Sequence, residues 1–170
     1  DPHHHLLDIG AGSLRLGCRA VPYLNPSHYW ATDLSADLMR AGHATELADP
    51  SRLPLNQMVQ DADFSLTGIP DTITHAIAFA VFTHLPANHL RRALISIRAR
   101  LPQLQTLLFT VFLAPENAYL CAYRQPDGVV THAARAPYHM LLPDVEYLIR
   151  ASGFEAELLR TELPRGQIGR

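Results

Sequence analysis

One glycine-rich segment, residues 6–17, limits most strongly what this chain can fold into. It begins with Leu6–Ile9, an apolar run that contains one acid, and this run predicts a short buried strand. Gly10 and Gly12 follow, and they permit a sharp turn and the close approach of a ligand because neither has a Cβ atom. The chain is therefore expected to pass from a buried strand into a ligand-sized turn.

The residues after the turn predict a helix over residues 13–21, which ends at Pro22. Ser13 is a suitable N-cap because its hydroxyl can accept a hydrogen bond from an amide of the first turn. Gly17 lies one turn into this helix, where the missing side chain permits close packing against a strand. A helix N-terminus that faces a glycine turn offers free amides and a favourable dipole, which makes this segment a candidate anion site.

The spacing of the glycines separates two classes of ligand. The dinucleotide fingerprint requires glycine three residues after Gly12, but Arg15 stands there. Asp8, two residues before the first glycine, instead resembles the acid of motif I in class I S-adenosylmethionine (SAM) dependent methyltransferases. A strand–turn–helix unit without a ligand is the alternative. The resemblance implies SAM as the cofactor and contacts to it from Asp8 and from the turn residues Gly10, Ala11, Gly12 and Ser13.

Composition predicts one globular domain over residues 1–170, with 48% apolar and 18% charged residues. A net charge of -2 and the lack of a bilayer-length apolar run argue against nucleic-acid and membrane partners. The chain starts almost at its first strand and stops soon after Gly166. We therefore expect truncated ends, completed by the remainder of a longer polypeptide or by a homodimer partner.

Residue types exclude several chemistries. The chain contains no lysine, so a P-loop and Schiff-base catalysis are excluded. Cys18 and Cys121 lack metal-ligand spacing and indicate a reducing, cytoplasmic compartment. Residues 3–5 are three histidines, which form either a metal tract or a polar lead into the first strand, and we favour the lead. No metal site is expected.

A second strand, predicted over residues 28–33, ends at Asp33. A helix should follow, with Ser35 as its N-cap, Asp37 in its first turn and Gly42 at its end. An acid at the carboxyl end of a parallel strand can accept hydrogen bonds from both ribose hydroxyls, or it can simply cap the next helix. The resemblance favours the ribose role for Asp33 and adds Leu34 to the cofactor-binding residues.

A weak third strand, residues 57–60, precedes an acidic turn. In the resembling family an acid here takes the exocyclic amine of adenine, and the next backbone amide donates to the ring. Asp63 with Phe64 matches this pair best, and Asp61 is the alternative acid. A polar turn without a ligand is the other interpretation, because aspartates are common in turns.

The fourth strand, predicted over residues 72–81, is nearly continuous in apolar character and fits a strand covered on both faces. Its tail resembles the family's serine-valine-phenylalanine-threonine-histidine-leucine run, with Ala80 in place of the serine. The resemblance makes Phe79 a cofactor contact and places His84 beside the expected pocket.

The second half of the chain continues the alternation. Leu90, Ala93, Leu94 and Ile97 form an apolar stripe opposite three solvated arginines. The predicted elements are a helix over 88–101, a strand over 106–113, a hairpin of 118–123 and 129–133 around the turn 125–128, a helix over 143–151 and a sixth strand over 154–161. Residues 164–167 resemble the lead into the family's last, antiparallel strand, which too few residues remain to build fully.

This order predicts an α/β fold, a three-layer αβα sandwich with a mostly parallel, Rossmann-like sheet and a hairpin insertion after strand 5. The resemblance implies methyl transfer to an O, N or C atom of a small molecule. Residues 113–142 are the expected substrate lid, and His84, Tyr138 and His139 are candidate general bases. A non-catalytic SAM-binding domain, a nicotinamide-dependent oxidoreductase and a fragment that binds nothing are the alternatives.

Overall fold

Strands and helices alternate along the chain, as the sequence predicts. The structure, a computed structural model, describes residues 1–159 and the backbone of Ile168–Gly169. The chain forms two units, one of Asp1–Ala78 with Ala99–Leu107 and one of Phe79–Arg98 with Leu108–Arg170. Among the described residues, no helix combines the length and the apolar character needed to span a membrane.

The first unit holds four parallel strands in the order β3-β2-β1-β4. Their registers align Ile9 with Thr32 and Thr32 with Val59, so the carboxyl ends of three strands meet at one edge. Apolar side chains of β1, β2 and the two helices form a core beneath that edge. The elements are β1 Leu6–Ile9, α1 Gly17–Tyr23, β2 Tyr29–Asp33, α2 Ala36–Thr45, β3 Met58–Gln60 and β4 His75–Ala78.

The first helix differs from its prediction at both ends. α1 begins at Gly17, its N-cap Leu16 makes no side-chain cap bond, and Ser13 therefore does not cap a helix. Pro22 lies inside α1 and does not end it. The Leu24 N–H closes the last turn by donating to Ala20 O at 2.9 Å.

The second helix confirms the Ser35 cap, which accepts from the Leu38 N–H at 3.1 Å. The prediction that Gly42 ends the helix is wrong, because Gly42 lies buried inside it. A Cβ atom on Gly42 would overlap the backbone carbonyl of Ser13. Glycine is therefore required here by close packing of α2 against the glycine turn.

The fourth strand is shorter than predicted. β4 covers His75–Ala78, and the backbone then bends. Ala80 takes a left-handed conformation with φ 60°, and its N–H donates to Thr110 Oγ1 at 2.8 Å. The apolar run continues past Ala78, but its backbone no longer pairs as a strand.

The second unit contains most of α3 and β5 and the elements that follow them. β5 pairs in parallel with β8 and antiparallel with β9. β6 and β7 form the predicted hairpin, whose turn is closed by the Gly128 N–H donating to Gln125 O at 2.9 Å. The elements are α3 Ala87–Arg100, β5 Thr106–Leu113, β6 Tyr123–Arg124, β7 Val130–Thr131, β8 His139–Met140, α4 Leu142–Ala151 and β9 Ile168–Gly169.

The end of the chain departs from the sequence prediction. Residues 154–158 form no strand, and residues 160–161 of the predicted sixth strand lie outside the described residues. The predicted lead at residues 164–167 lies outside them too. β8 pairs with β5 and was not predicted from the sequence. Two residues are too few to show a strand's periodicity.

Candidate functional site

The glycine turn, residues 10–14, follows β1 in a left-handed backbone conformation. The angle φ is 72° at Gly10, 54° at Gly12 and 61° at Leu14. The amides of Gly10 and Ala11 donate to Thr32 O at 2.7 and 3.0 Å, which fixes the turn to the end of β2. Leu14 tolerates this unusual conformation while its side chain is fully buried in the core.

Most amides of the glycine turn are engaged within the protein. The Gly12 N–H donates to Asp33 Oδ2 at 2.8 Å, and the Leu14 N–H donates to Ala11 O at 2.9 Å. Of the turn's amides, that of Ser13 has no acceptor in the part of the chain that the structure describes. The predicted set of free amides at a helix N-terminus is therefore wrong, also because α1 starts beyond the turn.

Asp33 connects the glycine turn to the start of α2. Its Oδ2 accepts from the Gly12 N–H at 2.8 Å, and its Oδ1 accepts from the Ser35 N–H at 2.9 Å. Each carboxylate oxygen offers more than one acceptor direction, so two backbone bonds leave capacity for a ligand hydroxyl. The arrangement is compatible with both roles that the sequence left open.

The space beside Gly12 is open. A Cβ atom built there would meet Leu38 Cδ2 at 4.0 Å as its nearest neighbour. Leu34 and Leu38 are 67% and 45% exposed, which is high for large apolar residues. Gly12 thus has room beside it for a ligand atom, next to the partly exposed side chain of Leu38.

Asp8 is the buried acid of β1, with 3% of its surface exposed. The Tyr29 hydroxyl donates to Asp8 Oδ2 at 2.6 Å. Burial raises the pKa of Asp8 to about 6; the Tyr29 hydroxyl acts against this, and the nearby Asp33 carboxylate adds to it. A carboxyl group with such a raised pKa beside a ligand-sized turn is a functional-site candidate.

Asp61 follows β3, and its carboxylate is bonded within its own loop. It accepts from the backbone amides of Asp63, Ser65 and Leu66 at 3.2, 3.1 and 2.9 Å. Burial raises the pKa of Asp61, but these backbone bonds outweigh burial and hold the pKa below its usual value. The Asp63 side chain is exposed, and Phe64 follows it with φ 60°. Of the two acids, Asp63 is therefore the more accessible to a ligand.

The second unit contains Phe79 and the predicted catalytic side chains. Phe79 is 42% exposed. His84 is exposed in the bend that follows, and Tyr138 is half-buried. The Tyr138 N–H donates to Thr83 O at 2.7 Å, so the backbone brings Tyr138 beside the residue that precedes His84.

His139, also predicted as a general base, is a buried residue of β8 with both ring nitrogens engaged. Nε2 lies 2.8 Å from Tyr119 O, and Nδ1 lies 2.8 Å from Thr131 Oγ1. A carbonyl oxygen only accepts, so Nε2 carries a proton. His139 is 2% exposed, and its ring ties the hairpin segment to β8. The prediction of a general base is therefore wrong for His139.

The N-terminal histidines pack against the starts of strands. His4 stacks on His75 with ring centroids 3.8 Å apart, and His5 stacks on His28 at 3.9 Å. Within the described residues, no group of three or more His, Cys, Asp or Glu side chains is arranged to hold a metal ion. The stacking favours the interpretation of residues 3–5 as a lead into β1.

Sequence reasoning did not assign Tyr29 or Gly42 to the site. For Tyr29 the signal is in the register, because Tyr29 pairs with Leu6 and therefore shares a sheet face with Asp8. For Gly42 no local signal exists, since its contact with Ser13 joins segments far apart in the sequence.

Comparison with known proteins identifies the fold. No protein-family model matches the sequence, and no curated protein matches it. The structure resembles magnesium protoporphyrin IX methyltransferase (ChlM) from Synechocystis PCC 6803 with bound SAH, at a TM-score of 0.67 and 14% identity over 99% of this chain and 72% of that one. It also resembles methyltransferase CalO6, at a TM-score of 0.67 and 13% identity over 98% of this chain and 56% of that one.

A third similar structure is the glycopeptide N-methyltransferase MtfA, at a TM-score of 0.62 and 18% identity over 96% of this chain and 80% of that one. Identities this low show a shared fold and leave the activity to be argued from the site. The chain has the Rossmann-like αβα fold of class I SAM-dependent methyltransferases, as the sequence predicts.

Proposed function

We propose that this protein is a SAM-dependent methyltransferase that acts on an O, N or C atom of a small-molecule acceptor. The observation that carries the proposal is the Asp33 carboxylate, which is tied to the Gly12 amide beside an open space at the strand ends. A nucleoside ligand with two ribose hydroxyls suits this position in an α/β fold. The fold shared with a methyltransferase that was crystallised with bound SAH supports SAM as the cofactor.

The residues of the first unit fit the parts of SAM. Asp33 would accept from the ribose hydroxyls, the exposed Asp63 carboxylate would accept from the adenine amine, and the Phe64 amide would donate to the ring. The buried Asp8 would complement positive charge on the methionine portion. Gly10, Ala11, Gly12 and Ser13 would line that portion, and Leu34 would cover the adenosine. In the second unit we propose Phe79 as a further cofactor contact.

Methyl transfer asks little covalent chemistry of the protein. SAM held by these residues would supply an electrophilic methyl group, with neutral S-adenosylhomocysteine as the leaving group. The protein's part is alignment of the acceptor, together with removal of a proton where the acceptor is a hydroxyl or an amine. We propose His84 and Tyr138 as candidates for that base, because neither is enclosed as His139 is.

The decisive experiment is calorimetric titration of the purified protein with SAM and S-adenosylhomocysteine, with NADH as the competing ligand. We expect micromolar binding of both sulfur compounds and none of NADH. Incubation with labelled SAM and a panel of hydroxyl, amine and carbon acceptors then tests transfer. Binding of SAM without transfer to any acceptor would favour the non-catalytic alternative, and binding of NADH alone would overturn the proposal.

Charge and cysteine content support the partner and compartment that we propose. A net charge of -2 favours a small-molecule acceptor over nucleic acid. Cys18 and Cys121 are free thiols, as is usual in a reducing compartment, and we propose a cytoplasmic location.

Replacing Asp33 with alanine should weaken SAM binding by about 100-fold. Loss of charge-assisted hydrogen bonds to two ribose hydroxyls removes roughly 3 kcal/mol. Calorimetry of wild type and variant measures the change. Asp37→Ala is the matched control, because Asp37 is an exposed acid in the same region, paired with Arg40. Equal affinity of Asp33→Ala and wild type would contradict the ribose role.

The proposed lid, residues 113–142, should become resistant to trypsin when ligands bind. Trypsin can cut this segment at Arg124 and Arg135, which are both exposed. The chain has no lysine, so these are the trypsin sites of the segment. We expect S-adenosylhomocysteine to slow both cuts at least threefold, and Arg135→Gln identifies the bands. Unchanged cutting rates at a saturating ligand concentration would contradict a lid.

A further inference from the structure

A buried hydroxyl–carboxylate pair lies directly beneath the glycine turn. Tyr29 is 2% exposed, and its hydroxyl donates to Asp8 Oδ2 at 2.6 Å. Tyr29 and Asp8 lie on the same face of the sheet, because Tyr29 pairs in register with Leu6. The bond therefore spans two neighbouring strands and fixes the direction of the Asp8 carboxyl group.

The room for this hydroxyl depends on Gly17. A Cβ atom at Gly17 would lie 3.0 Å from the Tyr29 hydroxyl oxygen and 3.3 Å from its Cζ. Such a distance is tighter than ordinary contacts, so even alanine would press on the phenol. The first turn of α1 thus leaves the space in which Tyr29 meets Asp8.

The carboxylate of Asp8 lacks a cation among the described residues. The ion pairs within the described residues join Arg40 with Asp37 and Arg150 with Glu146, and neither includes Asp8. The charged group that acts on Asp8 is another acid, Asp33. Two neighbouring carboxylates without a cation leave a site that favours a cationic ligand.

We propose that Tyr29 is a positioning residue that orients the Asp8 carboxylate toward the ammonium group of the cofactor's methionine portion. This inference rests on the proposed function. Tyr29 acts through Asp8 and needs no contact with the cofactor itself. Tyr29 bonds Oδ2, and no described residue donates a hydrogen bond to Asp8 Oδ1, so Oδ1 is the oxygen left for the ammonium group.

The Tyr29 hydroxyl also favours the ionised form of Asp8. Burial and Asp33 raise the pKa of Asp8, and the bond from Tyr29 lowers it. The groups that face this pair are Asp33 at the end of β2 and the Cys18 thiol on α1. Without the hydroxyl, the Asp8 carboxyl should hold its proton to a higher pH and bind an ammonium group only above that pH.

The test compares two ligands over pH 5.5 to 8.5 by calorimetry. S-adenosylhomocysteine carries the ammonium group, whereas 5′-methylthioadenosine has the same nucleoside and sulfur without it. For Tyr29→Phe at pH 7 we expect about tenfold weaker binding of S-adenosylhomocysteine, unchanged binding of methylthioadenosine and recovery of affinity at higher pH. Tyr23→Phe is the matched control, because Tyr23 is 57% exposed at the end of α1.

Gly17→Ala is a second variant that crowds the Tyr29 hydroxyl without removing it, and we expect weaker binding of S-adenosylhomocysteine. Because the added Cβ would also lie 3.1 Å from Leu14 Cβ in the glycine turn, only the part of the loss that spares methylthioadenosine is assigned to Tyr29. Equal weakening of both ligands by Tyr29→Phe, with an unmoved pH profile, would make Tyr29 merely structural and overturn this inference alone. Failure of wild type to bind either ligand would overturn the proposed function and this inference together.

Discussion

Replacing Gly42 with alanine should lower both the free energy of unfolding and the affinity for SAM. Gly42 lies buried in the middle of α2, where a Cβ atom would overlap the carbonyl group and Cα of Ser13. Backbone cannot rotate aside as a long side chain can. Either α2 or the glycine turn must therefore shift, and the turn is the part that binds the cofactor in our proposal.

Two effects of this substitution oppose each other. Alanine has the higher helix propensity, which alone would stabilise α2 by about 1 kcal/mol. Overpacking a close contact typically destabilises by about 1–3 kcal/mol, and overlap with backbone belongs at the upper end. We therefore expect a net loss of about 2 kcal/mol in urea unfolding and at least tenfold weaker binding of S-adenosylhomocysteine.

Ala44→Gly is the matched control for Gly42→Ala. Ala44 is exposed on α2, so its replacement should remove about 1 kcal/mol of helix propensity and leave the affinity unchanged. If Gly42→Ala stabilises the protein and preserves affinity, α2 does not hold the glycine turn in place. Loss of affinity in Ala44→Gly would instead mean that general stability of α2 governs binding.

The parts of the fold that local sequence specifies were predicted closely. β1 and β5 have their predicted bounds, since each is an apolar run between turn-forming residues. α3 shows the predicted stripe, with Leu90, Ala93 and Ile97 buried. These elements depend on hydrophobic periodicity and on turn-forming residues at their ends, both of which are visible in a single sequence.

The parts that failed depend on contacts between distant segments. Leu14 adopts a left-handed backbone that its own chemistry disfavours, while its side chain is fully buried in the core, and this delays the start of α1. A glycine near the end of a predicted helix usually indicates where the helix ends. Gly42 instead permits α2 to pack closely against the backbone of Ser13. Local propensity is a weak prior in both cases, and tertiary packing overrides it.

The candidate site divides in the same way. The sequence directly shows an acid at the end of the second strand and another after the third. In the structure Asp33 accepts from the Gly12 amide, and Asp61 accepts from the Leu66 amide in the acidic loop. The sequence could not show that Asp61 binds its own loop while Asp63 remains exposed. Nor could it show that His139 is enclosed, because a histidine in an apolar stretch gives no sign of its partners.

Replacing Asp8 with asparagine should stabilise the protein at pH 8 and weaken its binding of SAM. Burial first, and the Asp33 carboxylate second, raise the pKa of Asp8 from 3.8 to about 6 in the folded protein, despite the bond from Tyr29. Well below pH 3.8 the carboxyl is protonated in both the folded and the unfolded state. Between pH 4 and 6 the unfolded chain ionises while the folded protein keeps its proton, so the free energy of unfolding falls as pH rises.

Above pH 6 this loss is complete and amounts to up to about 3 kcal/mol. Asparagine is neutral at every pH and can still accept from the Tyr29 hydroxyl. The stability difference between variant and wild type should therefore be smallest at pH 4 and increase in favour of Asp8→Asn up to pH 8. All other ionisable groups are the same in both proteins, so their contributions cancel in this difference, which urea unfolding at pH 4, 5, 6 and 8 measures.

Asp37→Asn is the control, since Asp37 is exposed and should give a difference that is small at every pH. A pH-independent difference for Asp8→Asn would contradict the raised pKa. Asp8→Asn is thus expected to raise the stability of the protein and to lower its affinity for SAM. If Asp8 served only to stabilise the fold, neutralising it would lower the stability. An acid that destabilises the fold at neutral pH, yet is needed for cofactor affinity, has a role in binding. Asp8 should therefore behave as part of the cofactor site and not as part of the core.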